Sequence, residues 1–315
     1  MLRPHRSLAA AIAILVGAIL VGTVIFVPVQ ASAKTDVRLT RALYADVKSS
    51  AAVAAKHDRR FATLARTPQA FWATDHLPVS RVKKSVKAYA DRAAKKKRTP
   101  VVAVYAIPAR DCGQHSAGTF DAPTYRRWVK QLAAGLKGRK AIAVLEPDAL
   151  AMLGQCEQGD RTGLLRYASK KLRAAGVWVY IDAGHSNWIS PAVMATRLRD
   201  AGVANARGFS TNVANFRSTP DETAYGNQVV AELRAIGIAG KKFVVETARN
   251  GTATTAGDFC NPLSARVGVR PRVVRSGAVD AYLWIKHPGE SDGTCNGGPN
   301  AGTWWPVGAL ALLGG

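Results

Sequence analysis

Carboxyl-bearing side chains recur in this sequence directly after short apolar runs. The run "AIAVL" (141–145) continues into Glu146-Pro147-Asp148, and "VVAVYAI" (101–107) leads to Arg110 and Asp111. Carboxyl groups that meet in one site can divide acid and base work between them. The polar residues that follow such runs and are candidates for a site are Asp111, Ser116, Asp148, Asp182, His185, Asn212, Lys286, Glu290 and Asp292.

The elements that must position these residues are short strands alternating with amphipathic helices. In the helix predicted near 80–97, for example, Val82, Val86 and Tyr89 recur at helical spacing, and Lys and Arg occupy the other face. The strand candidates are residues 70–74, 101–107, 141–145, 177–181, 207–211, 242–247 and 279–285. The other helix candidates lie near 122–136, 160–175, 191–202 and 220–237.

This alternation is typical of a parallel α/β sheet covered by helices. About seven units without a Gly-rich phosphate loop favour a barrel over a doubly wound sheet. In a barrel the C-terminal ends of the strands share one rim, so the candidate residues above would converge there. We therefore predict a distorted, TIM-like seven-stranded parallel α/β barrel with an open cleft at that rim.

The predicted rim also carries tryptophans, at Trp72, Trp188 and Trp284. Sugar rings stack on Trp and their hydroxyls bond to polar side chains, so carboxyls beside Trp indicate glycoside chemistry. A Ser-His-Asp hydrolase is a rival, because Asp111, His115 and Ser116 are near neighbours. The chain lacks a G-x-S-x-G elbow, and triads rarely come from adjacent residues, so we discount it.

Purely structural roles compete with these functional ones. An Asp after a strand is most often a helix N-cap or a turn former, which is the role we expect for Asp121 and an alternative for Asp182. A purely structural role is also the alternative for His185, and Trp residues usually lie in the core. Convergence of carboxyls at several strand ends favours a site.

The first 33 residues resemble an export signal. Arg3 and Arg6 precede an apolar run, residues 8–27, and Ala31-x-Ala33 supplies a cleavage site. An uncleaved membrane anchor is the alternative. Four cysteines in an exported chain predict two disulfides, with three connectivities open. They form no CxxC pair and no His lies at zinc-finger spacing, so we expect no metal site.

The chain is strongly basic, with a formal net charge of +23. Much of the surplus lies on helix faces, as in "DRAAKKKR", where it indicates a solvated exterior. Attraction to an anionic cell wall or membrane surface is the alternative. No nucleic-acid-binding motif is present, so we expect no nucleic-acid partner.

Several segments closely resemble glycoside hydrolase family 6, the cellulases, and most of all its bacterial endoglucanase branch. "VVAVYAIPARDCGQHSAG" and "AIAVLEPDAL" are similar to its two signature segments, and "YIDAGHSNW", "ETARNG" and "DAYLWIKHPGESDG" follow in the family's order. The resemblance covers roughly residues 66–298. We therefore expect a leader at 1–33, a helical lead-in at 34–65 and a catalytic domain at 66–315.

The resemblance implies inverting hydrolysis of β-1,4-glucosidic bonds without a cofactor. Asp148 matches the general acid, Asp111 the carboxylate that raises its pKa, and Asp292 the proposed base. Tyr105 matches the residue that distorts the sugar, and Ser116 belongs to the loop that handles the water. The implied substrate-binding residues are Trp72, Asp182, His185, Trp188, Asn212, Lys286 and Glu290.

The resemblance further implies the disulfides Cys112–Cys156 and Cys260–Cys295. The short interval between the second pair leaves little room for the roof of exo-acting members, so we expect a secreted, monomeric endo-β-1,4-glucanase whose partner is a β-1,4-glucan. Phe259 and Glu246 depart from the usual family residues, and the C-terminal segment predicts a reduced closing helix. An exo-acting cellobiohydrolase and a non-catalytic glucan- or wall-binding protein are the alternatives.

Overall fold

Eight strands form one curled sheet in the computed structural model of the protein, which describes residues 35–114, 116–255 and 257–315. The spatial order is β1-β2-β3-β4-β5-β6-β8-β7. Seven strands run parallel, and β7 pairs antiparallel with β8. Their bounds are β1 Phe71–Thr74, β2 Val101–Tyr105, β3 Ile142–Leu145, β4 Trp178–Asp182, β5 Gly208–Thr211, β6 Lys242–Glu246, β7 Arg272–Ser276 and β8 Val279–Leu283.

The seven predicted strands are confirmed, and they follow one another around the sheet as in a barrel. A doubly wound sheet would reverse its order at a switch point. The Ala70 N–H donates to the Trp284 carbonyl at 3.0 Å, so the two ends of the parallel set approach each other. Strand β7 was missed because "RVVRS" is half-exposed and basic and therefore has no apolar run.

Five helices cover the outer face of the sheet where the periodicity predicts them. Asp121 caps the second of these five, accepting a hydrogen bond from the Thr124 N–H at 2.7 Å, so its expected structural role is confirmed. A closing helix, α8, is present near the C-terminus. The helices are α3 Val79–Lys95, α4 Ala122–Leu136, α5 Arg161–Ala174, α6 Pro191–Asp200, α7 Thr219–Ala235 and α8 Pro306–Leu313.

The segment before β1 is less helical than its composition suggests. It contains only the short helices α1 (Ser50–Ala54) and α2 (Ala62–Arg66) and two 3-10 turns. Its buried residues Leu43, Phe61 and Leu64 are irregularly spaced, because they seal separate parts of the barrel. Tertiary contacts therefore override helix propensity here.

Alternate residues along each strand supply two layers of core. Val102 and Val104 of β2 face the helices, whereas Val101 and Ala103 fill the barrel interior. This alternation fixes which side chains are left at the C-terminal rim. No helix within residues 35–114, 116–255 and 257–315 is long and apolar enough to cross a bilayer. The leader at 1–33, with the anchor candidate 8–27, lies outside the described residues.

Candidate active site

Asp148 lies in a sharp turn directly after β3. Glu146 and Asp148 both adopt left-handed conformations, with φ of 52° and 66°, on either side of Pro147. The Asp148 N–H donates to Asp182 Oδ2 at 2.9 Å, which anchors the turn to the end of β4. Among the described residues, no group hydrogen-bonds to Asp148 Oδ1. One carboxyl oxygen is thus free of protein partners.

The surroundings of Asp148 favour its protonated form. Burial and the negative charges of Asp182, Asp111 and Asp292 raise the pKa of Asp148 well above its usual range. Each of these effects disfavours the ionised carboxyl. Asp148 can therefore carry a proton near neutral pH, as a general acid requires.

Asp182 is fully buried at the end of β4 and supports this turn. Its Oδ2 accepts the N–H groups of Asp148 and Gly184, and its Oδ1 accepts the Ser210 hydroxyl at 2.9 Å. Burial raises the pKa of Asp182 to about 7, although these hydrogen bonds oppose the rise. Because the side chain bonds to the protein itself, the structure gives it a supporting role in addition to the substrate contact implied by resemblance.

Glu146, the first acid of the "EPD" turn, has a structural role. It is fully buried, and its Oε2 accepts the N–H groups of Ala106 and Ile107 at 2.9 and 3.0 Å. Its Oε1 accepts the Tyr125 hydroxyl at 2.9 Å. Burial raises the pKa of Glu146 to about 7. The residue therefore links the exits of β2 and β3 and does not face the cleft.

The exit of β2 carries a connected set of polar groups. Asp111 Oδ2 accepts both the N–H and the hydroxyl of Ser116, at 2.9 and 3.0 Å. The Ser116 hydroxyl also lies 2.7 Å from the Tyr105 hydroxyl. The Trp72 ring stands edge-on to the Tyr105 ring, with centroids 5.2 Å apart. The structure thus brings four predicted site residues together; His115 lies outside the described residues.

Arg110 shapes this loop from beneath, a role that its position in the sequence does not reveal. Its guanidinium pairs with Asp75 at 3.0 Å and donates to the carbonyls of Tyr105 and Ser116. The Cys112–Cys156 disulfide ties the same loop to the segment after β3. Since Asp75 follows β1, the pairing depends on strand order, which local spacing cannot give.

Asp292 is held as a carboxylate by two cations. Its Oδ2 lies 2.6 Å from Arg249 Nη1, and its Oδ1 lies 3.0 Å from Lys286 Nζ. Burial alone would raise the pKa of Asp292, but Arg249 and Lys286 outweigh burial and lower it to about 2. The protein therefore shifts the pKa values of Asp148 and Asp292 in opposite directions. The spacing of residues in the sequence gave no sign that Arg249 contacts Asp292.

The loop that carries Asp292 is fixed to the loop after β6. Asn261 exchanges two hydrogen bonds with Asp292, from its N–H to Oδ2 at 3.0 Å and from the Asp292 N–H to its Oδ1 at 2.8 Å. The neighbouring Cys260–Cys295 disulfide is also formed, so both pairings implied by the resemblance are confirmed. Each disulfide thus secures a loop that bears a candidate carboxylate.

His185 and Trp188 form a second aromatic group beyond β4. Their ring centroids are 5.4 Å apart, and both side chains are partly exposed. Burial lowers the pKa of His185 to about 4, so the neutral imidazole predominates near neutral pH. A neutral ring beside Trp is suited to sugar contact.

Three other predicted positions have structural partners. Asn212 is fully buried, and its amide donates to the carbonyls of Arg217 and Glu246. Glu290 pairs with His287 at 2.8 Å and accepts the Ser50 hydroxyl. The expectation that Trp284 lies at the rim is wrong: it is 2% exposed and packs with Phe61 outside the barrel.

A barrel of parallel strands whose rim holds one carboxyl with a raised pKa, one with a lowered pKa and partly exposed aromatic rings is the arrangement expected of a glycoside hydrolase. The sequence profile of glycosyl hydrolases family 6 matches residues 30–314, and the chain belongs to this family.

Relatives are found among bacterial endoglucanases. Endoglucanase A of Cellulomonas fimi is 47% identical over 251 residues, covering 79% of this chain and 54% of the relative. The chain thus spans about half the length of that protein. Endoglucanase 1 of Streptomyces halstedii is 38% identical over 299 residues, covering 90% and 92% of the two chains.

Solved structures agree in fold. The endoglucanase Cel6 of Mycobacterium tuberculosis, in complex with methyl-cellobiosyl-4-deoxy-4-thio-β-D-cellobioside, has a TM-score of 0.82 at 38% identity and covers 88% of this chain and 98% of its own. The catalytic core of a Chaetomium thermophilum cellobiohydrolase has a TM-score of 0.77 at 26% identity, covering 89% and 98%.

Proposed function

We propose that the protein is an endo-β-1,4-glucanase that cleaves internal glucosidic bonds with inversion. The observation that carries this proposal is that, at one rim of the barrel, the pKa of Asp148 is raised and the pKa of Asp292 is lowered. Asp148 donates its proton to the glycosidic oxygen as the bond breaks. Asp148 is partly exposed, so a glycosidic oxygen can approach its carboxyl group.

Inversion needs a water on the opposite face of the sugar. Asp292 supplies negative charge there, but a carboxylate with a pKa of about 2 is a weak proton acceptor. The Ser116 hydroxyl offers a path for the water proton, because it already donates to Asp111 Oδ2. The water passes a proton to Ser116 Oγ as Ser116 passes its own to Asp111. We therefore assign Asp111 two tasks: raising the pKa of Asp148 and receiving this proton.

Aromatic and charged residues around these carboxyls hold the glucan. Tyr105 lies between Trp72 and Ser116, where its ring can press on the sugar at the point of cleavage. Trp188 and His185 offer a further stacking surface. Lys286 keeps Asp292 ionised and can donate to sugar hydroxyls.

An open cleft favours internal cleavage. The interval between Cys260 and Cys295 is short, at 35 positions, and part of it forms β7 and β8, so little length is left for a roof over the cleft. The relatives named endoglucanase support the same choice. We also propose that the protein is exported and acts as a monomer, on the strength of the leader-like segment and the two disulfides.

The test combines viscometry with reducing-end analysis on a soluble, neutral cellulose derivative. An endo-acting enzyme lowers viscosity well before reducing ends accumulate, whereas release of short products at constant viscosity would establish the exo-acting alternative. Binding without any turnover would establish the non-catalytic alternative. Proton NMR of the first product should show the α anomer; fresh β anomer would contradict inversion.

A further inference from the structure

A cavity of about 860 Å³ lies near the starts of β1, β2 and β7, and none of the candidate catalytic or substrate-binding residues lines it. Its walls come from residues 39–45, Val47, the end of α3 and the start of β7, together with Arg66 and Pro68 before β1. Arg98, just before β2, also lines it. Pro68 and Arg98 precede β1 and β2, at the end of these strands opposite to the rim, whereas Arg272 begins the antiparallel β7 and pairs with Tyr282 near the end of β8.

The rim of this cavity is strongly basic. Arg92 is neutralised by Asp46 at 2.7 Å, but the other cations form no ion pair with any described residue. No Asp or Glu contributes to the lining. The exposed, unpaired cations of the rim are Arg41, Arg66, Lys95, Lys96, Arg98 and Arg272. Six like charges around one concave surface create a positive potential that attracts anions.

The floor of the cavity is apolar. Leu43 and Tyr44 are buried beneath it, and Val47, which is 65% exposed, and Val273 stand at its sides. A ligand made only of phosphates would cover this floor without an apolar face to match it. A chain of pyranose rings has apolar C–H faces for the floor, and carboxylates at the ring edges reach the cations.

We propose that this cavity is a second polysaccharide site, which binds an acidic glycan whose sugar rings carry carboxylate groups. Its lining shares no residue with the candidate glucan site, and the proposal does not depend on the proposed catalysis. Its consequence is that the enzyme is retained on wall material in which uronate polymers surround the neutral glucan.

Polygalacturonate is the probe, and its affinity is measured by calorimetry at about 0.1 M salt. The triple variant Lys95→Gln, Lys96→Gln, Arg98→Gln removes half of the unpaired rim charge. Exposed charge pairs are individually weak, so we expect the three together to cost about tenfold in affinity. The matched control, Arg81→Gln, Lys83→Gln, Lys84→Gln, removes the same charge from exposed positions on α3 outside the cavity. It should change affinity less than twofold.

Equal losses in the two triple variants would overturn the site in favour of diffuse attraction to the basic surface. Equally tight binding of linear polyphosphate or of anionic phospholipid vesicles would overturn the preference for a carboxylated sugar. Hydrolysis of a neutral soluble glucan should be unchanged in both variants. Absence of hydrolysis by the unaltered protein would refute the catalytic proposal while leaving the polygalacturonate measurement intact.

Discussion

Replacing Arg249 by Met tests whether the ionisation of Asp292 controls activity. Arg249 contacts Asp292 at 2.6 Å, and both side chains are nearly buried, at 4% and 11% exposure. The pKa of Asp292 falls from the reference 3.8 to about 2. That lowering favours the carboxylate by roughly 2 kcal/mol. The two cations produce it against the opposing effect of burial.

In the variant Lys286 is the remaining cationic partner, so the pKa of Asp292 should rise toward its reference value. The acid limb of kcat/KM, measured on a soluble glucan from pH 2 to 9, should therefore move to higher pH. Folding also changes with a definite sign. A depressed carboxyl pKa contributes stability that is present above about pH 4 and lost as pH falls toward 2. The variant loses this contribution, and leaving a buried charge with one partner costs about 3–5 kcal/mol.

Two matched variants sharpen the result. Arg249→Lys keeps the charge, so its acid limb should stay near that of the unaltered protein. Arg199→Gln breaks an exposed pair with Asp200 and should move neither the limb nor the melting temperature appreciably. Circular dichroism at each pH separates ionisation from unfolding. An acid limb in Arg249→Met that coincides with that of the unaltered, folded protein would refute the reasoning.

Three further outcomes follow from the site. Asp148→Asn should lower kcat on soluble glucan about 10²–10⁴-fold while the protein stays folded, with a smaller loss on glycosides of acidic phenols, whose departure needs less proton transfer; near-normal glucan hydrolysis would dismiss Asp148 as the acid. Asp182→Asn keeps an acceptor oxygen for the N–H groups but removes a charge that raises the pKa of Asp148. The alkaline limb of the rate profile should therefore move to lower pH, and an upward shift or no shift would contradict the coupling between Asp148 and Asp182. Replacing Cys260 and Cys295 by Ser should lower the free energy of unfolding by about 2–4 kcal/mol in denaturant titrations, and an unchanged midpoint would show that the loop needs no cross-link.

Local pattern was sufficient for the elements of the barrel. Continuous apolar runs and amphipathic helices alternate so regularly that the seven parallel strands and five covering helices follow from periodicity alone. Strand β7 escaped because an edge strand needs no apolar run. The segment before β1 escaped because its structure is dictated by the surfaces that it covers.

Placement of acids after strands was also legible in the sequence, because strand ends in a barrel share one rim. The pattern of residues did not show what each acid does; the roles expected for Asp111, Asp148 and Asp292 came from the family resemblance. Glu146 and Asp148 are two residues apart, yet the first is fully buried and accepts backbone N–H groups, whereas the second is partly exposed and its Oδ1 accepts no hydrogen bond from a described residue. A left-handed turn around Pro147 separates them, and no periodicity encodes that turn.

The sequence by itself therefore determined the fold class, the candidate carboxyls and, through its resemblance to a known family, the disulfide pairs. Only the tertiary structure decided their charge states, because a pKa depends on distances between groups remote in the chain. Arg249 and Asp292 are 43 positions apart but in contact, and Asp148 and Asp182 are 34 apart and joined by a hydrogen bond. The basic cavity likewise exists only where α3, β7 and the N-terminal segment meet.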